Sequence, residues 1–200
     1  MRRAQIQEFS ARWREWNEVA LNQTGPLWVV LGDSSAQAIG ASSIERGYVG
    51  LVLERLRQRD PSWRVLNLSR SGARLAEVAN VQLTRLAELM PADLVSCAAG
   101  VNDVLRPWPT GMARALTRIA VAIPAGSVLA TLPRGVRERK ARRVNEVVRA
   151  LAAQHGHRVA DLWARTGPPY EGKFSEDRFH PNDRGYEDWA AAVADALELS

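Results

Sequence analysis

Five short apolar runs, at 27–31, 64–68, 93–98, 127–131 and, less strongly, 158–161, punctuate a chain otherwise patterned at helical spacing. Their length suits strands. Between them, Val49, Val52, Leu53 and Leu56 follow i, i+3, i+4 and i+7, as do Val144, Val147, Val148 and Leu151. Met112, Leu116, Ile119 and Ile123 form a longer stripe of the same period, and Tyr186, Trp189, Val193 and Leu197 a last one. Strands alternating with helices in this way predict an α/β fold, a parallel sheet with helices on both faces. Right-handed crossovers then bring the C-terminal ends of its strands to one edge.

Ahead of the first strand, Ile6, Phe9, Trp13 and Trp16 line one side of a further helix, an N-terminal appendage over 1–22. A helix with an apolar stripe among charges can lie on a membrane. Docking on the flank of the domain is the preferred reading, since a stripe at helical spacing usually faces a core. The 200 residues suit a single domain spanning 1–200, with no internal repeat or linker tract. No segment has the long uncharged run of a membrane span, and no apolar stretch follows Met1-Arg2-Arg3 as a secretory signal requires. Cys97, the single cysteine, sits in the run "DLVSCAAG", which fits a core thiol in a cytoplasmic, reducing setting.

Charge adds one further possibility. The 27 Lys and Arg exceed the 22 Asp and Glu to give +5, nearly all of the excess from arginine. The densest basic run, "RGVRERKARRVNEVVRAL", could face a nucleic acid. Its apolar stripe from Val144 to Leu151 marks it instead as a helix packed on the sheet with a solvated outer face, so no nucleic-acid partner is expected.

Candidate chemistry gathers where the first three strands end. Gly32-Asp33-Ser34 leaves the first run, Ser71-Gly72 follows the second, and Gly100-Val101-Asn102-Asp103 the third. Ligands of doubly wound sheets bind beyond the carboxyl ends of the strands. A fourth group, "DRFHPND", puts Asp177 three residues before His180, ahead of the last helix, where Pro181 suits a first helical turn. The long connection from Leu162 to His180 can carry the imidazole back to the central strands. A serine hydroxyl attacks at neutral pH only if a base takes its proton, and a carboxylate fixes the tautomer of that base. Ser34, His180 and Asp177 supply the three groups. The N–H groups of Ser34 and Gly72 and the amide of Asn102 supply donors for an oxyanion. Asp33 is expected to hold its own turn through backbone N–H groups, and Asp103 to do the same for the third block.

At these residues the chain resembles the SGNH (GDSL-type) hydrolases. "GDSS" is similar to the family's nucleophile block, "SG" in "NLSRSGARL" to the block with the oxyanion glycine, "GVND" to Gly-x-Asn-Asp and "DRFHPN" to Asp-x-x-His, with "GYEDWA" as the usual continuation. The resemblance runs from the first strand to the last helix. It implies a flavodoxin-like three-layer α/β/α sandwich with five parallel strands and cofactor-free hydrolysis of a small-molecule ester or thioester. Ser34 is then the nucleophile, Asp177 and His180 complete the triad, and Ser34, Gly72 and Asn102 form the oxyanion hole. Arg70 departs from the family pattern, where a small residue is usual; it would occlude the site in part or favour an anionic substrate. A catalytically silent protein that binds an acylated ligand through the same pocket is the alternative.

His155 and His157 flank Gly156 at the end of a helix and read as capping residues rather than ligands. No spacing of His, Cys and Asp resembles a zinc site, so no metal is expected. Trp108 and Pro109, just past Asn102, read equally as lining of the substrate entrance or as loop packing. The chain is short for this architecture, which favours an open site and a small acyl group.

Overall fold

A computed structural model describes residues 2–106 and 111–199. The first strand shows why the apolar runs are continuous rather than alternating. All six residues of β1 (Leu27–Gly32) are buried. Leu27, Val29 and Leu31 face one core, Trp28 and Val30 the other. A strand covered on both faces has no solvent side to make polar. The other strands are β2 (Arg64–Asn67), β3 (Leu94–Ala98), β4 (Val128–Ala130) and β5 (Arg158–Ala160). They pair in parallel in the order β2-β1-β3-β4-β5, which is the flavodoxin-like order. Trp28 sits opposite Val65 on one side and Leu94 on the other.

Helices α1 (Arg2–Leu21) and α2 (Tyr48–Arg59) pack on one face together with α9 (Asp183–Ala196). The other face carries α3 (Leu75–Glu77), which continues through a π turn at Val78–Gln82 into α4 (Leu83–Glu88), and then α6 (Met112–Ala122) and α7 (Glu138–His155). Short helices α5 (Val101–Val104) and α8 (Leu162–Arg165) follow β3 and β5 directly. Between β2 and β3 the buried residues Leu75, Val78, Ala79, Gln82 and Leu86 keep the helical spacing i, i+3, i+4, i+7 and i+11 through the π turn, with a glutamine among them.

The stripe of α1 is buried: Phe9 and Trp13 are each 2% exposed. The helix also closes the open edge of the sheet. Asn17 Nδ2 donates to the carbonyl of Asn67 at 3.0 Å, and its Oδ1 accepts from Asn67 N at 2.8 Å, so one side chain satisfies both groups of an edge strand. Among the described residues no helix is long and apolar enough to cross a membrane.

The last helix starts later than "HPND" suggests. Asn182 is its N-cap, with Oδ1 accepting from Gly185 N at 3.1 Å. Pro181 therefore precedes the cap and pairs with Phe174 in an antiparallel bridge. The asparagine side chain, not proline's fixed φ, sets the boundary.

Candidate active site

The edge formed by the strand ends holds the four polar groups. Gly32 closes β1 so near to β3 that a Cβ there would stand 2.7 Å from the Ala98 carbonyl. Gln82 grips this residue from the other face, accepting from Gly32 N at 2.9 Å and donating to its carbonyl at 2.8 Å. The chain thus leaves the sheet from a fixed point. Ser34, two residues on, is 5% exposed, and its Oγ lies 2.9 Å from His180 Nε2.

His180 reaches that position on a loop organised by Asp177. One carboxylate oxygen accepts the backbone N–H of Phe179 at 2.7 Å and of His180 at 2.8 Å, and the other is 2.7 Å from His180 Nδ1. Burial pushes the Asp177 carboxyl up, but the hydrogen bonds from His180 and Phe179 outweigh it and hold the group well below the usual carboxylate range. An ionised Asp177 accepts from Nδ1–H, which leaves the lone pair of Nε2 directed at the Ser34 hydroxyl. The structure therefore joins Ser34, His180 and Asp177 in one hydrogen-bonded chain.

Gly72 occupies the third position of a turn closed by Ala73 N donating to the Arg70 carbonyl at 2.9 Å. Its φ of +79° explains the glycine, and a Cβ there would meet no atom within 4 Å, so the turn lies open. Asn102 Nδ2 donates to the Ala73 carbonyl at 3.0 Å and lies 3.5 Å from Asp33 Oδ2. The amide thus sits between the block of Ser34 and the block of Gly72.

Asp33 is 2% exposed, and its Oδ1 accepts from Ser35 N at 3.0 Å, the turn-holding bond expected of it. Burial raises its carboxyl from 3.8 to about 6, against the hydrogen bonds from Ser35, and the charge of Asp103 adds to the rise. Asp103 reaches beyond its own block, accepting from Leu75 N at 3.0 Å at the start of α3. It ties the loop after β3 to the loop after β2.

Sequence reasoning missed several residues that hold these loops. Gln37 Nε2 donates to the Ser69 carbonyl at 3.0 Å, and its Oε1 accepts from Ser71 N at 3.2 Å. Asn67 Nδ2 donates to the Ala36 carbonyl at 2.7 Å, and the hydroxyl of the buried Tyr186 donates to the Ile39 carbonyl at 2.7 Å. The signal for Gln37, Asn67 and Gln82 was present as polar residues inside apolar surroundings.

Arg70 turns away to form a two-pronged ion pair with Glu77 on α3, its side chain 72% exposed. Its charge is thereby matched within the protein. His157 Nε2 donates to the carbonyl of Ala120, near the end of α6, at 2.7 Å, so it caps a neighbouring helix, while Gly156 at φ +69° ends α7. Trp108 and Pro109 lie outside the described residues.

The model of the GDSL-like Lipase/Acylhydrolase family matches residues 30–187. TesA, a solved structure, is 25% identical over 87% of this chain and 99% of its own, with a TM-score of 0.72. Axe2-W215I, an acetyl xylan esterase from Geobacillus stearothermophilus, is 20% identical over 89% of this chain and 97% of its own, with a TM-score of 0.74. LAE5, an alpha/beta hydrolase from the metagenome of Lake Arreo, is 23% identical over 88% and 97%, with a TM-score of 0.71. No curated protein matches the sequence.

Proposed function

The chain belongs to the GDSL-like Lipase/Acylhydrolase family and is an ester-cleaving hydrolase, and on that premise we propose that it hydrolyses a carboxylic ester or thioester with a small acyl group through Ser34, His180 and Asp177. The continuous hydrogen-bonded path from Ser34 Oγ through His180 to Asp177, at 2.9 and 2.7 Å, carries this reading. His180 Nε2 takes the hydroxyl proton as Ser34 Oγ attacks the acyl carbon, and Asp177 stabilises the imidazolium. The oxyanion is received by the N–H groups of Ser34 and Gly72 and by Asn102 Nδ2. His180 then protonates the leaving oxygen. Water attacks the acyl-enzyme by the same route and releases the acid, which restores Ser34.

We read 1–200 as one domain, in which α1 is bound to the loop carrying Ser34. Gln5 supports this, donating to the Ala41 carbonyl at 2.8 Å and accepting from Gly40 N at 3.1 Å. The lone, buried thiol of Cys97 supports a cytoplasmic location. No nucleic-acid partner is proposed, since Arg149 on the basic helix is paired with Asp161 and Arg142 lies over the Trp163 ring.

The deciding experiment compares p-nitrophenyl acetate hydrolysis by the wild type and Ser34→Ala, both checked for folding by circular dichroism. Loss of activity in the folded variant, together with fluorophosphonate labelling of wild-type Ser34, is expected. Full activity in Ser34→Ala removes Ser34 as nucleophile. A wild type that neither turns over ester nor labels is the silent binder.

A further inference from the structure

Beside His180 the surface opens into a cavity. Its walls are mostly apolar and aromatic, among them Val101, Pro133, Tyr170, Phe174 and Phe179. The Phe179 ring stands edge-on to the imidazole with centroids 4.8 Å apart, and Tyr170 and Phe174 face each other at 6.2 Å. His180 lines this cavity, whereas Ser34, Gly72 and Asn102 do not. The histidine hands its proton to the leaving oxygen, so the leaving group departs on the imidazole side, away from the oxyanion donors. The cavity is therefore placed for the alcohol part of an ester rather than for the acyl part.

Three positively charged or protonatable groups border it. Lys173 is paired with Asp188 at 2.8 Å, and His180 is joined to Asp177. The third, Arg134, differs. Its Nε donates to the Trp163 carbonyl at 3.0 Å, its guanidinium lies over the Trp163 ring at 5.3 Å, and its backbone N donates to Thr166 Oγ1 at 3.0 Å. Among the described residues no carboxylate pairs with it. One hydrogen bond holds the guanidinium beside the Trp163 ring, which Arg142 also approaches at 5.4 Å, and no hydrogen bond among the described residues engages its two terminal nitrogens. A half-buried, oriented guanidinium at an aromatic cavity suits a planar carboxylate. Arg70, the other candidate for an anion, is already taken by Glu77.

We propose that Arg134 selects esters whose alcohol part carries a carboxylate, held in the aromatic cavity with its acid group on the guanidinium; the proposal rests on the ester-hydrolase reading above. A hydroxyaryl carboxylate fits both features, the ring against Tyr170 and Phe179 and the acid on Arg134. Water and such an acyl ester give the free carboxylic acid and the hydroxyaryl carboxylate, with no further reactant.

The test compares 4-acetoxybenzoate with its neutral isostere 4-acetoxybenzamide, in the wild type, Arg134→Gln and Arg134→Lys, beside p-nitrophenyl acetate as a neutral reference. The wild type is expected to prefer the carboxylate in kcat/KM, mainly through KM. Arg134→Gln is expected to reduce that preference about tenfold or more, the usual effect of losing a charge-assisted pair. Arg134→Lys should retain part of it. Disturbed packing would slow both acetoxy substrates alike, so the ratio reads the charge. Should the variants be unstable, product inhibition of the wild type gives the same answer: 4-hydroxybenzoate should inhibit more strongly than 4-hydroxybenzamide, and less so in high salt. Turnover of p-nitrophenyl acetate without preference for the carboxylate, or a preference untouched in Arg134→Gln, overturns the proposal and leaves the hydrolase reading intact. No turnover of any of the three esters and no labelling of Ser34 overturns both.

Discussion

Gly40 lies against His180 so closely that a Cβ on the glycine would stand 2.8 Å from His180 Cβ, with the Pro181 carbonyl closer still. The two residues come from opposite ends of the chain, one from the loop after β1 and the other from the loop before α9. Their contact fixes how near the imidazole comes to Ser34. Gly40 also has φ +101°, a conformation that side chains rarely adopt. Gly40→Ala is expected to push the histidine loop outward and lower kcat for p-nitrophenyl acetate by at least about tenfold. Strain and overpacking together should cost about 1–3 kcal/mol of stability. Thermal denaturation and steady-state kinetics on one preparation check both. Wild-type kcat in Gly40→Ala would show that the loop does not govern the approach of His180.

Asp177 does two things at once, ordering its own loop through two backbone N–H groups and orienting the imidazole through the other oxygen. Asp177→Asn keeps a carbonyl oxygen for the backbone donors and loses the charged acceptor for Nδ1–H. The variant should fold, and kcat should fall by about 10³–10⁴, the scale found when an asparagine in this position imposes the wrong tautomer. A loss below tenfold would remove Asp177 from the triad. The depressed carboxyl also has a consequence for stability. Its contribution is present above its unfolded value and fades as pH falls, so at strongly acidic pH the wild type should lose its stability advantage over the variant.

Asp33 has the opposite sign. Its folded carboxyl, raised from 3.8 to about 6, binds a proton more tightly than in the unfolded chain. Stability from this group is therefore present below about pH 4, falls as pH rises to about 6, and is level above that. The full span corresponds to about 3 kcal/mol as an upper figure. Asp33→Asn has no such titration, and its Oδ1 can still accept from Ser35 N. Urea denaturation from pH 4 to 7 should show the difference in stability between variant and wild type shifting in favour of the variant. Parallel curves for the two proteins would place the burial cost elsewhere.

Much of this architecture was legible because burial on both faces writes strands as unbroken apolar runs. The stripes of α2, α6, α7 and α9 were equally plain, since each has one face on the sheet. The segment 75–88 is less plain, because two of the five residues on its buried stripe, Ala79 and Gln82, are small or polar. The groups that meet at the sheet edge could be read as polar, glycine-bearing turns at strand ends. Their fastening could not. Gln37, Asn67, Gln82 and Tyr186 act on backbone groups far away in sequence, and only the folded chain shows which ones. The pairing of Arg70 with Glu77, seven residues on, likewise shows only in the folded chain.

Gln37 joins three parts of the molecule. Its amide spans Ser69, just before the turn bearing Gly72, and Ser71, within it; its Oε1 also accepts from Ser10 of α1 at 3.4 Å, and its backbone carbonyl accepts from Trp13 Nε1 at 3.3 Å. The side chain is 5% exposed, so water does not replace it readily. It acts as a positioning residue, holding the Gly72 turn in register with Ser34. Gln37→Leu preserves most of the volume and removes both hydrogen bonds to the turn. Leaving the buried Ser69 carbonyl and the half-buried Ser71 N–H unpaired should cost about 1–3 kcal/mol of stability. A merely structural role would stop there. If Gln37 sets the oxyanion donors, kcat for p-nitrophenyl acetate should fall by about tenfold with KM changed far less, because the misplaced N–H of Gly72 weakens the transition state more than the bound ester. Gln37→Glu retains an acceptor for Ser71 N but sets a carboxylate against the Ser69 carbonyl, so it should not rescue kcat. Unchanged kcat in a stably folded Gln37→Leu would confine Gln37 to holding the fold.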